Sequence, residues 1–513
     1  MQERASGILV HPSCFPSRGG IGDFGPAAYE FLDFLSAAKQ TLWQILPLGP
    51  AGYGNSPYSC ISAFAGNLLL ISLERLAEHG WIDAGRLDSL HSEGCAVNFQ
   101  ELEKTKLPLL QEAAANFLAN APAKDRERFE KFCWLNGWWL EDYVLFEVLR
   151  RHFDAHSWNH WPRELAERQP EALEKARRDF AAEIDQSRAL QFAFYEQWRA
   201  LHQECKRRGI RIVGDVAIFV SYDSADVWAH PDLFRLKPDL SPEVVAGVPP
   251  DYFSENGQRW GNPLYRWDVL RGRGYDWWLR RMKWALQTCD MVRIDHFRGF
   301  ESCWEIPADE ETAIHGRWVE GPGEDLFRVL RETFGELPLI AEDLGLITKK
   351  VVALREQIGV PGMRVIQFGF GDKGAHMYLP HKYVENTVVY TGTHDNDTSV
   401  GWWKNSSREE EREAARAYFG DAPDGINWSM IRAAETSVAK ICIIQLQDVL
   451  GLDSDCRMNI PSYPQGNWTW RYRTGQLTQD LAAKLAAITE ISDRGPSDAE
   501  KQSHGESAEH FSA

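Results

Sequence analysis

The chain has 513 residues, of which 44% are hydrophobic and 25% charged. This is an ordinary composition for a globular protein with a sizeable core, and it excludes global disorder. A net charge of −18 at pH 7 repels phosphate backbones and excludes general nucleic-acid binding.

In chain order, eight short runs rich in Leu and β-branched residues read as buried strands: GILVHPS (7–13), TLWQILPL (41–48), RIVGDVAIFV (211–220), MVRIDHF (291–297), LPLIAEDLG (337–345), MRVIQFGF (363–370), TVVYTGTHD (387–395) and CRMNIPS (456–462). Helical periodicity follows several of them, as in 27–39 and 349–357. Strand–helix alternation argues for a parallel sheet, and eight strands for an α/β fold of the (β/α)8 TIM-barrel type over residues 1–490. A barrel needs about 250 residues, so about half of this chain is additional. Residues 49–210, after the second strand, read as a mainly helical insertion. Residues 221–280, after the third, are rich in Pro, Gly and aromatics and read as a long loop over the mouth. The polar tail 491–513 reads as disordered.

The N-terminal MQERASGILVHPSCFP lacks the apolar core of a signal peptide, and no run reaches the ~18 apolar residues of a membrane span. Nine cysteines without CxxC spacing speak against a disulfide framework or zinc site and for a reducing, cytoplasmic setting. The 21 Trp belong mostly to core, although Trp and Tyr beside Asp and Asn also suit a sugar cleft.

Gly20-Ile-Gly22-Asp23-Phe24-Gly25 matches GxGxxG, but the next strand lacks the acidic residue of a dinucleotide site. These glycines read as a tight strand-to-helix loop. The fourth strand carries Arg293 and Asp295 on one face, where the guanidinium keeps the carboxylate ionised, as a nucleophile requires. A structural ion pair would give the same pattern. The fifth strand ends in Glu342 and Asp343, on opposite faces, so only one can enter the barrel. Periodicity does not choose between them, and Asp343 also fits a helix N-cap. The seventh strand ends in His394 and Asp395, and the third offers Asp215. Carboxylates at four strand ends suit glycoside chemistry, in which two of them flank the scissile bond. A metal site from the same carboxylates and His stays open, but the paired Arg opposes it.

These residues resemble those of the 4-alpha-glucanotransferases (amylomaltases, or disproportionating enzymes) of glycoside hydrolase family 77, within the wider α-amylase superfamily. The likeness rests on Gly52-Tyr-Gly-Asn-Ser-Pro-Tyr58, Pro249-Pro-Asp-Tyr-Phe253, Gly257-Gln-Arg-Trp-Gly-Asn-Pro263, Arg293-Ile-Asp-His-Phe-Arg-Gly299, Arg457-Met-Asn-Ile-Pro461 and Gly466-Asn-Trp468. It runs from about residue 6 to 490. The resemblance implies a retaining transglycosylase that moves α-1,4-glucan segments between maltooligosaccharides or amylose, with no metal or organic cofactor and no C-terminal β-domain. It makes Asp295 the nucleophile, Glu342 the acid/base and Asp395 the group that distorts the sugar ring. Arg293 would hold Asp295, His394 would contact the same glucose as Asp395, and Asp215 and His296 would line the nearest subsites. Tyr58, Trp260 and Asn467 would contact substrate, and Asp251, Phe253 and Gln258 the acceptor. A hydrolase on the same carboxylates, or an inactive glycan-binding protein, are the alternatives.

Overall fold

A computed structural model describes residues 4–88, 90, 94–250, 254–461, 463 and 465–496. Its strands in chain order are β1 (Ala5–Leu9), β2 (Leu42–Gln44), β3 (Arg211–Ala217), β4 (Val244–Val248), β5 (Gln258–Pro263), β6 (Met291–Asp295), β7 (Ser302–Pro307), β8 (Arg317–Glu320), β9 (Leu339–Ala341), β10 (Gly362–Val365), β11 (Thr387–Tyr390) and β12 (Ile441–Gln445). Eight of them close a barrel in the order β1-β12-β11-β10-β9-β6-β3-β2. Every pairing in it is parallel.

One barrel strand differs from the sequence expectation. The eighth is β12, ICIIQ, with every residue buried, the continuous apolar run of a strand covered on both faces. It passes into the helix Leu446–Leu450 with no turn residue between, so that ICIIQLQDVL reads as one stretch that periodicity cannot divide. Residues 456–461 are not a strand, and 462 lies outside the described residues. After the short turn Ser454–Cys456, this segment runs as a loop beside the ends of β11 and β12.

Between β2 and β3 lie the helices Lys106–Asn120, Ala123–His152 and Ala181–Arg207. Trp81, Phe117, Phe129 and Phe192 form an aromatic seam among them. Trp43, Trp158, Trp198, Trp228 and Trp278 are fully buried, so the aromatic excess is largely core.

The region 221–280 is more than a loop. It contains β4, β5 and three helices, Ala225–Ala229, Trp267–Gly272 and Asp276–Thr288. A further excursion after β6 supplies β7 and β8. The four strands make an antiparallel sheet, β5-β4-β7-β8, in which Gly247 pairs with Trp304 and Trp304 with Trp318. The sheet was not legible as a unit because its halves come from two separate insertions.

The GxGxxG loop is a packing device. A Cβ on Gly22 would collide with the Pro12 carbonyl oxygen, which only glycine allows. Asp23 accepts from Lys106 Nζ at 2.9 Å and caps the Gly25 N–H at 3.0 Å. At the other end of the chain, order continues past the helix Gln479–Ile491, which corrects the boundary expected at 491. Arg494 is fully buried and donates to the carbonyls of Glu435, Ala439 and Ala5. Residues 497–513 lie outside the described residues. Among the described residues, no helix is long and apolar enough to cross a membrane.

Candidate active site

The acidic candidates gather at the C-terminal ends of the barrel strands, where the chemistry of this fold resides. Alternation along β6 turns Arg293 and Asp295 inward together. Arg293 Nη1 donates to both oxygens of Asp215, at 2.8 and 2.7 Å, and Nη2 donates to Asp295 Oδ1 at 2.8 Å. The guanidinium thus bridges two carboxylates. Asp215 is its buried anchor, whereas the Asp295 side chain is 30% exposed toward the cleft. Burial opposes the Arg293 charge, and Asp215 with Asp295 overrides that opposition and holds the group fully charged. Burial also pushes the Asp215 carboxyl up to about 6, against the pull of Arg293. The Tyr58 hydroxyl donates to Asp215 Oδ2 at 2.7 Å.

Glu342 follows β9 directly and enters the cleft. Ile294 pairs with Ala341, so Asp295 and Glu342, each one residue further on, come to matching positions at the strand ends. Glu342 accepts from the backbone N–H of His296 at 2.8 Å and of Leu344 at 2.9 Å. His296 has a left-handed backbone with φ 54°, a strained setting for a non-glycine residue, and this turn aims its N–H at Glu342. The two backbone donors favour the carboxylate. Burial, followed by the nearby Asp295 charge, outweighs them and pushes Glu342 up to about 7. Asp343 takes the opposite face. It accepts from Arg355 at 2.6 Å and from the Met363 N–H at 2.7 Å, so it is a buried brace between strand and helix rather than an N-cap.

Beyond β11, His394 Nε2 lies 3.3 Å from Asp395 Oδ2, and its ring stacks on Tyr58 with centroids 4.9 Å apart. Asn459 Nδ2 donates to Asp395 Oδ1 at 2.6 Å. Surrounding protein alone would raise the Asp395 carboxyl, but the His394 charge and hydrogen bond, with the Asn459 amide, hold it well below the usual carboxylate range. The Asp395 side chain is nonetheless 44% accessible. Burial opposes the His394 charge, and Asp395 raises the imidazole above its ordinary value.

The family model for 4-alpha-glucanotransferase matches residues 10–478. The chain belongs to the 4-alpha-glucanotransferase family. Its activity is transglycosylation of α-1,4-glucans. A 4-alpha-glucanotransferase of Thermus thermophilus is 47% identical over 499 residues, 96% of this chain and 99% of that one. A chloroplastic/amyloplastic 4-alpha-glucanotransferase of Solanum tuberosum is 43% identical, over 95% of this chain and 85% of its own length. The solved amylomaltase from Streptococcus agalactiae in complex with acarbose superposes with a TM-score of 0.93 at 38% identity, covering 96% of this chain and all of that one.

In this transferase, Trp260 and Gln258 lie on β5, with Trp260 Nε1 donating to Gln258 Oε1 at 3.1 Å. The Trp260 ring meets His296 edge-on with centroids 4.7 Å apart, so β5 borders the acidic cluster. Asn467 is placed differently from a free substrate contact. Its amide donates to the Tyr463 carbonyl at 2.7 Å and accepts from the Ile460 N–H at 2.9 Å, bracing its own loop. Asp251 and Phe253 lie outside the described residues. Sequence reasoning missed Arg457 and Asn459 as site residues. Both stood in the quoted motif, but reading 456–462 as a strand hid a loop that reaches Asp395.

Proposed function

We propose that Asp295 attacks the anomeric carbon while Glu342 protonates the departing glycosidic oxygen. The covalent glycosyl–Asp295 is then resolved, with retention, by an acceptor 4-hydroxyl that Glu342 deprotonates. A retaining mechanism requires the two carboxyls to lie roughly 5–5.5 Å apart. The observation that carries this reading is the contrast between the two groups. Asp295 accepts a charged hydrogen bond from a buried guanidinium, while Glu342 is pushed toward its protonated form. Two neighbouring carboxyls with opposed environments are an acid and a nucleophile.

Asp395 and His394 take the hydroxyls of the reacting glucose, and Arg293, Asp215, Tyr58 and His296 shape its subsite. Burial drops His296 to about 4, leaving a neutral imidazole. Donors are maltooligosaccharides or amylose, and acceptors are glucose or another glucan. Asp251, Phe253, Gln258 and Trp260 serve the acceptor side, and Asn467 acts through its loop. Nine free cysteines support a reducing, cytoplasmic setting. The test is incubation with maltotriose and chromatography of the products. Glucose together with maltotetraose and longer chains is expected, whereas glucose and maltose alone would make the protein a hydrolase.

Water at about 55 M loses to sugar only where the acceptor is positioned, since orientation supplies effective molarities far above that concentration. Replacing Trp260 or Gln258 by Ala removes a stacking face or a hydroxyl partner beside the nucleophile. The ratio of hydrolysis to transfer on maltotriose should rise several-fold with the fold retained. An unchanged ratio in both variants would remove β5 from acceptor binding.

A further inference from the structure

The loop that follows β12 and its helix is fastened to the segment after β11 by three hydrogen bonds and braced by a fourth within the loop. The Asn459 N–H donates to the His394 carbonyl at 3.1 Å, and the Asn459 side chain donates to Asp395 Oδ1 at 2.6 Å. Arg457 donates through Nη2 to the Asp395 carbonyl and through Nε to the Asn459 carbonyl at 2.7 Å. The loop is anchored again where the Trp468 N–H donates to the Met458 carbonyl at 2.8 Å. At its far end Ile460 and Tyr463 are exposed.

We infer that Asn459 is a positioning residue for the transfer reaction, fixing the rotamer and the ionised form of Asp395 through one amide N–H. This rests on the assignment of Asp395 as a sugar-binding carboxylate. The chemistry follows from what each oxygen can accept. His394 takes Oδ2 and Asn459 takes Oδ1. With one partner on each oxygen, rotation of the carboxylate is restrained, and each oxygen keeps acceptor capacity for a sugar hydroxyl. An amide suits this position because it donates without a charge. Charged groups already surround Asp395: His394 beside it, Arg293 within electrostatic reach, and Arg457 on its backbone. Among the described residues, Tyr58 is a further titratable side chain near it. A second cation at 459 would tie up the carboxylate, and a carboxylate there would repel it. Asn supplies the donor and nothing more.

The test compares Asn459→Ala, Asn459→Asp and Asp395→Asn on maltotriose across pH. Without the amide, Asn459→Ala should lose roughly 10- to 100-fold in kcat, the scale of one hydrogen bond to a charged group, with little change in KM. The acid limb of its profile should move to higher pH. In Asn459→Asp the two carboxyls must share a proton. The protonated Asp then donates as the amide did, so activity should approach wild type at low pH. It should fall as pH rises and the proton is lost. Recovery on returning the same sample to low pH separates this switch from misfolding. Wild-type pH profiles for both Asn459 variants, with Asp395→Asn inactive, would overturn the inference alone. A fully active Asp395→Asn would instead overturn the assignment on which it rests.

Discussion

Asp295→Asn is expected to abolish turnover, with a loss on the order of 10^4 to 10^6 in kcat, the scale seen when a covalent nucleophile is removed. The amide cannot displace a glycosidic oxygen, yet its carbonyl can still accept from Arg293 Nη2 in place of the carboxylate. Because the side chain is partly exposed while Asp215 carries the buried end of the ion pair, the variant should fold and bind maltooligosaccharide as the wild type does. Equilibrium binding by calorimetry, together with initial rates, checks both halves. Retained turnover would exclude Asp295 as nucleophile. Lost binding would mean that the Arg293 bridge fails without its second carboxylate.

The second large effect concerns Glu342. Its carboxyl is pushed up to about 7 by burial and by Asp295, so in the free enzyme it is protonated below that pH and loses its proton above it. Glycosylation needs the acid form. Therefore kcat/KM on maltotriose should be level at mildly acidic pH and fall as pH rises through about 7. Glu342→Gln removes both the acid and that titration. It should cost about 10^2- to 10^4-fold on maltotriose, and the alkaline limb should vanish. On α-maltosyl fluoride, whose leaving group needs little protonation, formation of the intermediate should be nearly as fast as in the wild type. Equal losses on both donors would show that Glu342 does not protonate the leaving group.

Much of this arrangement was legible in the sequence because strand alternation is a strict rule. The spacing of Arg293 and Asp295 fixed their common face, and the fold then supplied what spacing cannot. Glu342 and Asp343 had equal claims on the barrel interior until the register of β9 with β6 placed Glu342 beside Asp295. The partnership of Arg293 with Asp215 crosses from β6 to β3 and is invisible to local pattern, although both residues were separately marked. Strand β12 was missed because its apolar run has no boundary residue before the helix that follows. That error displaced the last strand onto 456–462 and concealed Arg457 and Asn459. The antiparallel sheet was missed for a different reason. Its strands β5 and β7 carry polar and aromatic residues at irregular spacing, the β4–β5 pairing shifts register between Val245 and Gly247, and the two hairpins are joined only by the β4–β7 pairing, remote in sequence.

The most direct measurement is mass spectrometry of Glu342→Gln protein mixed with α-maltosyl fluoride. The activated donor can load the nucleophile without an acid, and the missing base should leave the product of that step unresolved. Peptide mapping should then find one maltosyl unit on the peptide that contains Asp295, attached through the Asp295 carboxylate, persistent in the presence of maltose and released by added azide, a nucleophile that needs no base. An adduct on another residue, or none at all with inverted product released, would contradict a glycosyl–Asp295 intermediate.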